Sequence, residues 1–206
     1  MKKGKFVVLD GGEGVGKTTL VKRAKEVFGE KLFVTRQTGG TPFAEEIRTL
    51  MHKAEYKNLS PESFFGLVWA ARADSVQQAI EPALQSGLSV LSDRFDSSTY
   101  AYQLYGQEGQ HLEELFWKTR EVFLRGAEPD LYIFLDADPK IALPRVLSRK
   151  GELTPFDTRE LGFHERVREG FRKFFRKVPN HIVIDSNRSL DEVEKDFLKA
   201  VQPFFG

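Results

Sequence analysis

The chain has 206 residues, 40% hydrophobic and 30% charged, with a formal net charge of +1. That length and balance suit one domain spanning residues 1–206 and exclude a disordered or collagen-like chain. Near-neutral charge gives no footprint for polymeric nucleic acid, and the lack of cysteine excludes disulfides, thiolate chemistry and cysteine zinc sites.

No apolar run approaches membrane-spanning length, and the one after the basic start is too short for a signal-peptide core. The expected setting is the cytoplasm, with no membrane partner. Phe6-Val7-Val8-Leu9 reads as a short buried strand. It leads into Asp10-Gly11-Gly12-Glu13-Gly14-Val15-Gly16-Lys17-Thr18-Thr19. From Lys17 to Phe28, residues Leu20, Val21, Ala24, Val27 and Phe28 recur at helical spacing. Strand and helix thus flank G-x-x-x-x-G-K-[ST], filled by Gly11, Gly16, Lys17 and Thr18. Such a loop turns its N–H groups inward at a helix start, its lysine reaches β- and γ-phosphates, and its threonine serves Mg²⁺. This is a nucleotide-phosphate cradle.

Lys31 to Thr35 reads as a second strand, followed by the turn Arg36-Gln37-Thr38-Gly39-Gly40-Thr41. Thr41 can cap a helix from Pro42 to about Met51. Ser60-Pro61 starts a long helix whose apolar stripe runs from Phe64 to Leu84, and Pro82 is expected to kink or divide it. Arg72 falls on that stripe, four residues from Val68 and Val76. A cation there needs either an internal carboxylate or a ligand.

Leu88 to Ser92 is a third strand, delivering Asp93-Arg94 to its carboxyl end, where open α/β sheets hold ligands. Asp93 suits Mg²⁺ or its water shell, and Arg94 suits a pair of phosphoryl oxygens. The segment from Ser97 to Gln103 gathers hydroxyls, a ring and an amide that could read a base, or could form a satisfied core turn. A further helix places Leu112, Leu115, Phe116, Thr119, Val122 and Phe123 on its apolar stripe. Strand Leu131 to Leu135 ends at Asp136. Ile141 to Leu147 reads as helix despite Pro144, and carries Arg145 outward.

A polar segment broken by Pro155 follows, and the region about 145–162 has the character of a mobile lid. Its cations are Arg149, Lys150 and Arg159. Glu165 to Lys177 is a basic helix with Val167, Phe171, Phe174 and Phe175 inward and its charges expected to be mere solvation. A fifth strand, His181 to Asp185, and a last helix from Leu190 complete the chain. Alternation of this kind implies an α/β fold, a five-stranded parallel sheet covered by helices on both faces. The strand ends would bring Asp10, Arg36, Asp93, Arg94 and Asp136 to one cleft.

Several spaced motifs together resemble the thymidylate kinase family of P-loop nucleoside-monophosphate kinases. They are the phosphate loop, Thr35-Arg36 with Gly39-Gly40-Thr41, Ala70-Ala71-Arg72, Asp93-Arg94-Phe95 through Ala101-Tyr102-Gln103, Pro129-Asp130-Leu131 with Leu135-Asp136, Gly151-Glu152-Leu153, and Arg166-Val167-Arg168. The resemblance implies a three-layer P-loop kinase fold and transfer of the ATP γ-phosphoryl group to dTMP, with Mg²⁺, in a homodimer. It implies that Gly11 to Thr19 (Gly11, Gly12, Glu13, Gly14, Val15, Gly16, Lys17, Thr18 and Thr19) and Arg145 hold ATP. Thr18 and Asp93 would serve the metal. Asp10 would bond the sugar 3′-hydroxyl, with Arg36, Arg72, Arg94, Thr99, Tyr102 and Gln103 around the acceptor. Tyr102 would disfavour a 2′-hydroxyl. Lys17 and Arg94 would act in catalysis.

The chain also departs from the family pattern. One branch carries an arginine in the phosphate loop where this chain has Glu13-Gly14, which points to Arg149, Lys150 or Arg159 as the transition-state cation. A basic residue common after Gly-Glu-Leu is Pro155 here, and Arg-Glu-Pro-Gly-Gly reads Arg36-Gln37-Thr38-Gly39-Gly40. The aromatic expected four residues before Arg72 is Val68, with Phe65 or Trp69 as possible replacements. Two other readings follow: a kinase of the same fold for another nucleotide or nucleoside, and a nucleotide-binding module without turnover. No Asn-Lys-x-Asp guanine motif is present.

Overall fold

Strand β1 (Phe6–Gly11) is buried along its whole length, so it reads as an unbroken apolar run rather than an alternating one. The structure, a computed structural model, describes residues 3–56, 58–124, 126–148 and 153–206. β1 pairs in parallel with β3 (Ser89–Asp93) and β4 (Leu131–Asp136); β2 (Leu32–Arg36) and β5 (His181–Asp185) form the edges, giving the order β2-β3-β1-β4-β5. The register sets Leu9 beside Asp93 and Asp10 beside Phe134.

Alternation along β1 feeds two cores. Val7 and Leu9 face α1 (Lys17–Phe28) and α9 (Leu190–Phe205), packing with Leu20, Ala24, Phe197 and Val201. Phe6 and Val8 face an aromatic-rich layer that includes Phe64, Phe95, Tyr100, Phe116, Phe171 and Phe174. The α/β architecture with helices on both sheet faces is therefore as expected. Among the described residues no helix is long and apolar enough to cross a membrane.

Helix α2 (Pro42–His52) starts where the sequence places it, with the Thr41 hydroxyl accepting from Ala44 N. Helix α3 (Pro61–Ser75) has Ser60 as its cap and passes through a π-helical turn, Val76–Ile80, into α4 (Glu81–Gln85). Glu81 N donates to Val76 O, five residues back. The wide turn lies just ahead of Pro82, so the proline is accommodated and the helical path continues.

A second helical stretch escapes periodicity. Asp96–Thr99 forms α5 and runs into a π-helical segment, Tyr100–Gly106. Helix α6 (Glu113–Phe123) follows, but only part of its stripe is inward: Phe116 is fully buried, whereas Leu115, Val122 and Phe123 are exposed. Helix α7 (Pro139–Ser148) contains Pro144 in its interior.

Helix α8 (Leu161–Lys177) begins four residues earlier than its pattern predicts. It packs closely on the π-helical segment because both carry glycine at the contact. A Cβ on Gly170 would lie 2.8 Å from Ala101 Cα, and one on Gly106 would lie 2.8 Å from Phe163 and Val167. The charges of α8 are not mere solvation. Arg168 and Arg172 both grip Asp136, at 2.6 and 2.7 Å, and Arg166 donates to Gly106 O. Asp136 is thus committed to α8 and does not join the cleft described next.

Candidate active site

The phosphate loop bends through Gly11, Gly14 and Gly16, all at positive φ. Gly14 is the tightest point: a Cβ there would meet Ala142 O of α7 at 2.1 Å. No side chain fits, so the arginine that one family branch carries in this loop has no room here. Lys17 is buried and folds back to donate to Gly11 O at 3.1 Å and Gly12 O at 2.5 Å. Burial lowers its pKa, and the neighbouring Arg94 lowers it further. Thr18 is exposed at the helix start.

Residues Glu13 to Thr19 form one wall of a cleft of about 530 Å³, a volume ordinary for a small-molecule site. Asp93 and Arg94 form its floor. Arg94 sits at φ 69, an uncommon conformation for a long side chain, and this aims its guanidinium back over the end of β1. Its Nη1 donates to Gly11 O and Ser98 Oγ, and its Nη2 to Glu13 Oε1 at 2.7 Å. Glu13 also accepts from the Tyr102 hydroxyl at 2.7 Å. Burial works to raise the Glu13 carboxyl, but Arg94, Lys17 and Tyr102 outweigh it and hold it at about 2. Asp93 Oδ1 is buried without a hydrogen-bond partner among the described residues.

Asp10 lies beneath this layer and does not line the cleft. It is wholly buried and accepts from Gly11 N, Ser97 Oγ, Ser98 Oγ and Phe95 N, with Arg94 Nη1 at 3.5 Å. Its capacity is taken by the protein, so it is not presented to a sugar hydroxyl. Glu13, three residues on, does line the cleft.

Arg72 is 2% exposed, and among the described residues it has no carboxylate within ion-pair distance. Its guanidinium lies over Trp69 at 4.5 Å and Phe95 at 5.3 Å, while Nη2 donates to Phe95 O and Thr99 Oγ1. Among the described residues, Nε and Nη1 have no hydrogen-bond partner. Burial drives its pKa down to about 10. Two buried donors beside a cleft are costly unless something else accepts from them, and no internal carboxylate among the described residues does so. Thr99 and Gln103 line the same wall, as do Met51, His52, Val68 and Phe156.

Arg145 reaches the cleft from α7, anchored on Ser186 O and Asn187 O. Arg36 does not reach it: the guanidinium turns outward to Glu45, at 2.8 Å, and is half-exposed. Arg48 lines the cleft instead, donating to Thr38 O. Sequence reasoning missed it, although the spacing Ala44, Arg48, Met51 places this cation on a core-facing stripe. Arg159 stands over the Phe163 ring at 5.6 Å, outside the cleft lining. Arg149 and Lys150 lie outside the described residues, as do Gly151 and Glu152. No group of three or more His, Asp or Glu able to hold a metal occurs among the described residues. Thr18, exposed at the helix start, and the Asp93 carboxylate offer oxygens of the kind a hard divalent cation takes.

Comparison with known proteins converges on one family. The family model described as thymidylate kinase matches residues 9–197. The chain is 38% identical over 203 residues to the thymidylate kinase of Geobacillus thermodenitrificans, covering 96% of this chain and 89% of that relative. It is 38% identical to that of Hahella chejuensis, covering 94% of each. To that of Bradyrhizobium diazoefficiens it is 39% identical, covering 93% and 86% respectively.

Proposed function

The chain belongs to the thymidylate kinase family, and on that premise we propose that its cleft is where ATP passes its γ-phosphoryl group to dTMP, giving dTDP and ADP. This is a nucleoside-monophosphate kinase, a transferase of nucleotide biosynthesis. The observation that carries the reading is the meeting of two half-sites in one cleft. A phosphate loop ending in Lys17 and Thr18 faces Asp93-Arg94 and the two unpartnered Arg72 donors.

On the donor side, loop N–H groups and the α1 start would take the ATP phosphates, with Lys17 exchanging the Gly11 and Gly12 carbonyls for phosphate oxygens. Arg145 would lie against adenine. On the acceptor side, Arg72 would donate to a base carbonyl beside Thr99 and Gln103, with Arg94 and Arg48 at the acceptor phosphate and Glu13 accepting from the sugar. Thr18 and Asp93 would hold Mg²⁺, which supplies charge neutralisation to the transferring group. Transfer itself needs little covalent help from protein, so positioning and charge are the main work. Because Gly14 leaves no space for a loop arginine, the remaining cation is sought across the cleft, among Arg149, Lys150 and Arg159.

An assay of ADP release over dTMP, dUMP, dCMP and thymidine tests the reading. The highest kcat/KM is expected with dTMP. A preference for thymidine, or no ADP with any acceptor, would overturn it. Family membership does not favour the module without turnover.

The exposed face of α6 supports a homodimer. Phe123 stacks on Trp69 of α3 at 5.9 Å, and next to it on α3 the outer positions Gly66 and Ala70 are small. With Leu115 and Val122 this makes an apolar surface suited to a second copy. Sedimentation equilibrium should give twice the 23.5 kDa chain mass, and a single-chain mass would refute the dimer. The nucleotide substrates support a cytoplasmic setting, and we infer one domain over 1–206 in which the polar stretch about 145–162 would serve as a lid.

A further inference from the structure

A planar base held by the free N–H groups of Arg72 needs a flat surface to lie against, because stacking on an aromatic carries much of the binding of any base. Val68, one turn before Arg72 on α3, offers only methyl groups. Its aromatic neighbours are engaged elsewhere. Trp69 lies under the Arg72 guanidinium and packs on Phe65, Phe116 and Phe123; neither Trp69 nor Phe65 lines the cleft.

Besides the His52 imidazole, three aromatic side chains among the described residues line it: Phe95, Tyr102 and Phe156. Phe95 is fully buried, with Phe6 at its edge and Arg72 over its face. Tyr102 has the Arg94 guanidinium over its ring at 5.1 Å and is 6% exposed. Phe156 alone is half-buried. It sits in a turn closed by reciprocal bonds between Thr154 and Asp157. Its ring lies 5.7 Å from both Phe64 and Tyr102 and has Phe163 stacked against it at 6.4 Å. Phe64, Val68 and Arg72 are spaced four apart on one face of α3, so Phe156 stands at the end of the row that Arg72 begins.

We propose that Phe156 is the base-stacking residue of the acceptor site, a specificity-determining aromatic carried by the 153–160 segment on the cleft that Val68 also lines. The inference rests on the kinase reading above. It means that acceptor affinity depends on the Phe156 ring while ATP affinity does not.

The test compares binding of dTMP and of ATP, each alone, by titration calorimetry on wild type, Phe156→Ala, Phe156→Leu and the double variant Val68→Phe/Phe156→Ala. Melting curves verify that each is folded. Phe156→Ala should weaken dTMP binding by roughly 5- to 100-fold, the range of one base–aromatic stack, and leave ATP binding unchanged. Phe156→Leu, which keeps bulk without a π-face, should fall between. Returning an aromatic to α3 with Val68→Phe should recover affinity in the double variant. Unchanged dTMP binding in Phe156→Ala, or an equal loss for ATP, would overturn the assignment. Wild-type protein that binds no dTMP would instead refute the kinase reading beneath it.

Discussion

Arg94→Ala is expected to lower phosphoryl transfer by about 10³-fold or more and to cost about 3–5 kcal/mol of stability. The first effect follows from the transferred group, whose charge spreads over its oxygens and needs a fixed cation. The second follows from what lies under Arg94. Its guanidinium is shared by Glu13, at 2.7 Å, and the fully buried Asp10, at 3.5 Å. Removing the arginine leaves both carboxylates together with no counter-charge except Lys17.

The stability loss carries a pH signature. Glu13 is held at about 2 in the folded protein against 4.5 ordinarily, so its contribution is present above pH 4.5 and is lost as pH falls toward 2. Asp10 is pushed up by burial, so its charged form costs stability as pH rises. Both signs agree: the deficit of Arg94→Ala should be largest at neutral pH and shrink in acid. Urea unfolding from pH 3 to 7 measures it. A deficit that does not vary with pH would show that the carboxylates are not what Arg94 holds.

Lys17→Ala should lose activity by about 10²–10³-fold, the usual effect of deleting one charge-stabilising donor, yet unfold no more easily than wild type. The contrast with Arg94 is physical. Lys17 is 8% exposed and donates to the Gly11 and Gly12 carbonyls, and burial already disfavours its charge. In the ligand-free protein it is a cation kept out of water without a hydrogen-bonded carboxylate, a cost that alanine removes. Kinetics and a melting curve on the same preparation decide it. A fall in stability above about 2 kcal/mol, the scale of a lost buried polar network, would contradict this account.

Much of this site is legible in the sequence because its parts obey local rules. The phosphate loop, the caps at Thr41 and Ser60 and the buried strands all declare themselves within a few residues. What was illegible depended on neighbours distant in sequence. Asp10 and Glu13 are three residues apart, and only the tertiary position of Ser97, Ser98 and Arg94 shows which of them faces the cleft. Arg36 turns outward because Glu45, in the first turn of α2, captures it. Arg168 and Arg172 look like solvated charges until Asp136 is found between them. The helical run from Asp96 to Gly106 defeats a 3.6-residue template because most of it is wound more widely.

The close approach of α8 to that wide helix has a consequence for how the active site tolerates change. At Gly106 and Gly170 the clearance is a hydrogen atom deep, and the helix behind carries Phe163 and Phe171, whose rings buttress Tyr102. Tyr102 in turn holds Glu13 in place. Two glycines with no side chain of their own therefore act as the gauge that sets the rear wall of the cleft, and a single extra methyl group there would be felt by a carboxylate on the phosphate loop.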